Sequence, residues 1–139
     1  MPLTDREIAI IRLSFQRLKA EKGDANPFGP AFYTRVFEKM PEAREMFRDD
    51  MANQGMQFLS TLRVVVDHID DLDRIDGELR NLGRGHGAYG VRAEQYGPMG
   101  DALIETMRDT LGPEFDAEAR AAWRKAYEAV SSRMQAAVA

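Results

Sequence analysis

The chain contains no cysteine. That absence removes disulfides, thiolate nucleophiles, zinc knuckles and iron–sulfur clusters together, and it fits a reducing compartment. Long apolar runs are also missing. None approaches the ~20 residues that span a bilayer, so no membrane partner is expected. The start, Met1-Pro2-Leu3-Thr4-Asp5-Arg6-Glu7, lacks the basic segment and apolar run of a secretory leader. The expectation is a cytoplasmic protein. A strong excess of one charge is absent too: 19 basic and 23 acidic residues give a net charge of −4. The two signs are interspersed, which does not suit a phosphate backbone and argues against nucleic acid. Histidine is scarce, with 2 in the chain, His68 and His86.

What is present is ordinary for a globular protein. The 139 residues, 44% hydrophobic and 30% charged, suffice for one domain with a sizeable core. We read residues 1–139 as that single domain.

Helical periodicity dominates. Thr4 followed by Glu7 reads as a capping box. Ile8, Ile11, Phe15 and Leu18 then recur at helix spacing, and Gly23 closes the segment. Asn26-Pro27 reads as a cap and a first-turn proline, leading into Ala31, Phe32, Val36 and Phe37. Pro41 opens a short helical turn through Met46-Phe47. Asp49 or Asp50 caps a helix carrying Met51, Phe58, Leu62, Val65 and Ile69. Leu72, Ile75, Leu79 and Leu82 form the next apolar stripe. A helix is expected from about Ala93 to Leu111, broken by Gly112-Pro113. A last one carries Phe115, Trp123, Tyr127, Val130 and Met134. The β-branched run Val64-Val65-Val66 sits inside a helical pattern. The fold class is all-α: six to seven helices packed at crossing angles.

Few residues carry chemistry. A neutral imidazole is a good metal ligand. His86 lies among Gly83, Gly85 and Gly87, where a loop or helix-end role is the plainer reading. Those glycines cost a helix on the order of 2–3 kcal/mol relative to alanine. Glycine also lets something bulky approach the backbone, and a flat ligand is one such object. His68 reads as a helix-terminal surface residue. Asp71, Asp73 and Asp76-Gly77 hint at a calcium loop, but Ile75 stands where an oxygen ligand belongs. No phosphate-cradling glycine loop or serine elbow is present.

Six segments in order then carry a resemblance. They are Pro30-Ala31-Phe32-Tyr33-Thr34-Arg35-Val36-Phe37, Pro41-Glu42-Ala43-Arg44-Glu45-Met46-Phe47, Leu82-Gly83-Arg84-Gly85-His86, Tyr89-Gly90-Val91, Met99-Gly100-Asp101-Ala102-Leu103-Ile104 and Ala122-Trp123-Arg124-Lys125-Ala126-Tyr127. At these separations the chain resembles the globins. It is most similar to bacterial single-domain haemoglobins, the haem domains of flavohaemoglobins, and neuroglobins.

The resemblance implies a globin fold around a b-type haem, iron protoporphyrin IX. By it, His86 is the proximal iron ligand and Phe47 stacks on the macrocycle. Tyr33 matches the distal tyrosine of bacterial haemoglobins. Gln54 matches the distal polar position, with Gln57 as the alternative if the corner is longer, and Phe58 is the apolar distal wall. Val91 and Tyr96 contact the proximal side. The free N–H of the imidazole is expected on a carbonyl near Leu82 or Gly83. Neuroglobins carry a distal histidine and this chain has none, which implies a pentacoordinate iron open to oxygen, nitric oxide or carbon monoxide. Flavohaemoglobins continue into flavin and nicotinamide domains. Here the expectation is a chain without its own electron donor, so turnover needs a separate reductase.

The function so implied is reversible oxygen binding for storage or delivery. Two alternatives stay open: a nitric oxide dioxygenase served by that reductase, and a gas or redox sensor. Without a large exposed apolar stripe, a monomer or weak homodimer is expected.

Overall fold

A computed structural model describes residues 3–19, 28–46, 51–88 and 90–137. Its first helix begins where the capping box places it. Thr4 N–H donates to Glu7 Oε1 at 2.8 Å, and Glu7 N–H donates back to Thr4 Oγ1 at 3.1 Å. These bonds satisfy two of the donors that a helix start leaves unpaired. Helix α1 (Asp5–Lys19) then buries Ile11, Phe15 and Leu18. Helix α2 (Phe28–Lys39) buries Phe28, Phe32 and Val36. A 3₁₀ turn at Pro41–Met46 follows, and α3 spans Met51–Asp67. The three valines lie inside α3, with Val65 and Val66 buried and Val64 exposed. The expected caps at Asn26, Asp49 and Asp50 lie outside the described residues.

Leu72, Ile75 and Leu79 are buried as the apolar stripe places them, but the stripe does not lie on one α-helix. Leu72–Ile75 is a 3₁₀ turn, and α4 (Asp76–Ala88) starts at Asp76. The helix expected from Ala93 is shorter at its start. Ala93–Gln95 is a 3₁₀ turn and α5 is Tyr96–Leu111. Gln95 explains the turn: it is buried, and its side-chain oxygen accepts from the Arg92 N–H at 2.8 Å. At the Gly112-Pro113 break Gly112 takes φ +67°, and Gly112–Glu114 forms a 3₁₀ turn. Asp116 caps α6 (Ala117–Ala136) by accepting from the Ala119 N–H at 2.9 Å. Among the described residues there are thus six α-helices and no strand.

Helix α4 packs on α6, α2 packs on both α3 and α5, and α1 lies against α6. Ion pairs mark these crossings. Arg35 of α2 reaches Glu105 and Asp109 of α5, and Lys39 reaches Glu105 at 2.8 Å. The hydrogen bond from Lys39 holds the Glu105 carboxyl below the ordinary carboxylate range. Arg133 of α6 clamps Asp73 at 3.0 Å and Asp76 at 2.8 Å. Two of the aspartates that hint at a calcium loop, Asp73 and Asp76, are therefore anchors for a guanidinium. The Arg35–Glu105, Lys39–Glu105 and Arg133–Asp76 pairs are half-buried at the helix margins. Exposed ion pairs contribute about 0–1 kcal/mol each, and we read these as fixing register more than adding stability.

A tighter constraint joins α5 and α6. The Tyr127 hydroxyl donates to the Tyr96 carbonyl at 2.5 Å. Its ring lies over Gly100, where an added Cβ would stand 2.6 Å from Tyr127 Cε2. The ring is tethered at its far end and cannot swing clear. We predict that Gly100→Ala destabilises the fold by about 1–3 kcal/mol, the usual cost of overpacking. Urea denaturation measures it, and an unchanged midpoint would contradict this packing.

Candidate functional site

The helices enclose a cavity of about 880 Å³, within the roughly 300–1,000 Å³ of small-molecule and cofactor sites. Its lining draws on all six helices and is mostly apolar. His86 is one of its few polar members.

His86 stands in the last turn of α4 and is half-buried. Its Nδ1 lies 2.8 Å from the Leu82 carbonyl oxygen. A carbonyl can only accept, so Nδ1 carries the proton and Nε2 keeps the free lone pair. The backbone then locks the helix end. Gly90 takes φ +95°, the left-handed conformation that glycine adopts without strain. The Val91 N–H donates to the His86 carbonyl at 2.9 Å, and the Gly90 N–H donates to Gly87 at 3.0 Å. This pair of bonds is a Schellman cap. It ties Val91, which also lines the cavity, to the histidine. Tyr96 follows at the start of α5, its ring 6.5 Å from the imidazole.

The α2–α3 wall is aromatic. Phe32 and Phe58 stack at 4.4 Å with 7° between planes. Tyr33 meets Phe58 edge-on at 6.0 Å and also lines the cavity. Burial pushes the Tyr33 phenol up to about 12, so it stays a neutral O–H donor across the physiological range. Burial likewise raises Tyr127 and, to a lesser degree, Tyr96.

A pH dependence follows with a definite sign. A phenol raised on folding contributes its full stability below the unfolded value near 10 and loses it as pH climbs. We therefore expect stability to hold up to about pH 10 and to fall between pH 10 and 12. Tyr33→Phe should make that fall shallower. Denaturant melts at pH 8, 10 and 11.5 test it, and an equally steep fall in the variant would contradict it.

Five of the expected site residues, Tyr33, Phe58, His86, Val91 and Tyr96, line this one cavity. Phe47 lies outside the described residues, as does the side chain of Gln54, whose backbone belongs to α3. Gln57, the alternative, lines the cavity at an exposed position. His68 sits in the turn after α3 with Nδ1 2.9 Å from the Val64 carbonyl oxygen, a helix-end role. Sequence reasoning missed Thr61, Gln95 and Trp123 as lining residues. Thr61 was legible in principle, since it lies one turn after Gln57 on the same helix face.

The chemistry of the donor set decides what could fill the cavity. Among the described residues no group of three His, Cys, Asp or Glu side chains could hold a metal ion. His86 therefore suits a metal that brings ligands of its own, as a macrocycle does. The Trp123 indole Nε1 is buried with no partner among the described residues, and Trp123 lines the cavity. Buried polar atoms are nearly always satisfied, so this indole N–H fits a cavity that takes an occupant. The residues present fit a flat, largely apolar cofactor ligated on one side by an imidazole.

An all-helical fold around such a cavity has the layout of a protein that binds a flat cofactor between its helices. Residues 30–134 match the family model Globin. The chain belongs to the globin family, whose members bind diatomic gases at a haem. It is 28% identical to neuroglobin of Danio rerio, with 95% of this chain and 90% of that one aligned. It is 30% identical to a flavohemoprotein of Halalkalibacterium halodurans, over 81% of this chain and 28% of that longer protein. A solved structure of an engineered carbene transferase, assigned as a nitric oxide dioxygenase of Rhodothermus marinus, superposes with a TM-score of 0.80. It covers 94% of this chain and 89% of that one at 23% identity, and the likeness bears on fold alone. No helix among the described residues is long and apolar enough to cross a membrane.

Proposed function

We propose that residues 1–139 form one cytoplasmic domain that binds oxygen reversibly at a pentacoordinate haem b, with His86 as the proximal ligand. The observation that carries this reading is the imidazole in the cavity wall. Its Nδ1 is committed to the Leu82 carbonyl, which leaves Nε2 as the ligating atom. A haem held there supplies an iron with one position open to a diatomic gas.

The chain's own residues divide the remaining work. The Leu82 carbonyl fixes the tautomer and ring plane of His86 and raises its basicity. The Schellman cap at Gly90 fixes the end of α4. Phe32 and Phe58 keep water out of the α2–α3 side and confine the gas. Tyr33 offers a neutral hydroxyl to a ligand that carries partial negative charge. Gln54, or Gln57 in its place, offers a second donor in this reading. Phe47 stacks on the macrocycle in this reading, while Val91 and Tyr96 pack beside the imidazole. With no cysteine in the chain, the thioether attachment of a c-type haem is ruled out, which supports haem b.

Storage and nitric oxide dioxygenation would use the same donor, so turnover separates them. We expect stoichiometric, reversible oxygen uptake after one reduction. Sustained nitric oxide consumption with a separate reductase supplied would replace storage with the enzymatic reading.

A further inference from the structure

We propose that Gly83 is a positioning residue for His86. Lacking a side chain, it lets the backbone of α6 at Met134 seat α4, and that seat fixes where the imidazole stands in the cavity. The inference rests on His86 being the iron ligand. Three observations place the seat. Gly83 is buried, and a Cβ built on it would stand 2.6 Å from both the carbonyl carbon and the Cα of Met134, with the carbonyl oxygen closer still. All three atoms are backbone, so no change of rotamer relieves the clash. A helix must move by roughly 1 Å, because packed interiors leave no slack. Arg133, next to Met134, clamps Asp73 and Asp76 at the other end of α4. One turn of α6 thus holds both the start and the middle of the helix that carries the histidine.

His86 lies three residues after Gly83, where side chains are neighbours on a helix surface. A shift of α4 at Gly83 therefore carries the imidazole with it. The flat object expected against these glycines is, at Gly83, helix α6 itself. A Cβ at Gly77, on the exposed first turn of the same helix, meets nothing within 4 Å, which makes Gly77→Ala the control.

The test compares wild type, Gly83→Ala and Gly77→Ala by two readouts. One is the ¹⁵N signal of the His86 imidazole in haem-free protein. The other is the iron–imidazole Raman band of reduced, haem-loaded protein. Gly83→Ala is expected to move both and to change the carbon monoxide dissociation rate at least about threefold, as small misplacements of a ligating group do. Gly77→Ala should leave all three as in wild type. A Gly83→Ala protein that is merely less stable, with both signals unmoved, would overturn the proposal. If Gly83→Ala does not fold, Arg133→Gln decides. It releases the other end of the same seat, so a moved His86 signal supports the proposal and an unmoved one overturns it. Absence of an iron–imidazole band in wild type would instead refute His86 as the ligand, a separate failure.

Discussion

Stable haem uptake is expected to vanish in His86→Ala. The chain has 2 histidines. The other, His68, sits in the turn after α3 and is not among the residues that line the cavity, so it cannot substitute. Without His86 the cavity offers a macrocycle apolar contact alone, and no coordinate bond holds the iron in register. The alanine also leaves space where the ring stood. Free imidazole should enter that space, ligate the iron and restore binding. Titration of the variant with haem, without and then with imidazole, measures both effects. A full Soret band in the absence of imidazole would contradict the assignment.

Oxygen dissociation should accelerate in Tyr33→Phe. The phenol lines the cavity beside Phe58 and holds its proton up to about 12. A hydroxyl donating to a partly charged group contributes about 1–3 kcal/mol, which is roughly ten- to a hundredfold in affinity. Carbon monoxide carries little charge, so its dissociation should change far less. Because the phenol stays neutral, the wild-type oxygen rate should show no Tyr33 titration between pH 6 and 9. Stopped-flow displacement of oxygen by carbon monoxide gives both rates. An oxygen rate that is the same in the variant would assign the donor to a glutamine of α3.

Local signals in the sequence translated directly into structure. The Thr4 and Glu7 pair makes both bonds of a capping box, because cap, donor and acceptor lie within one turn. Gly112 adopts its positive φ where the glycine–proline pair breaks the chain. The valines of α3 follow the surrounding period of 3.6 rather than their own β preference, since burial of one face decides. Long-range partners were not legible. The glycines before His86 announce a close approach, but only the fold reveals that Met134 of α6 makes it at Gly83. The Tyr127–Tyr96 bond joins residues 31 apart, and nothing local marks it. The break at Asp76 escaped the apolar pattern because Leu72, Ile75 and Leu79 remain buried on both sides of it. What starts α4 there is polar, the carboxylate held by Arg80 and Arg133.

For the site, the imidazole and the aromatic wall were readable through the resemblance, which assigns His86, Tyr33 and Phe58; the residue pattern alone favours a helix-end role for His86. Gln95 and Trp123 were not readable, since the burial of a glutamine in a 3₁₀ turn and of an indole N–H depends on elements distant in sequence.

The central claim is a haem ligated by His86 with the other side open to a gas. The absorption spectrum of the protein, ferric and dithionite-reduced, with and without carbon monoxide, tests it most directly. The account predicts a five-coordinate high-spin reduced spectrum that sharpens and shifts when carbon monoxide is added. A reduced protein already six-coordinate and low-spin, or one that takes up no haem on reconstitution, would contradict it.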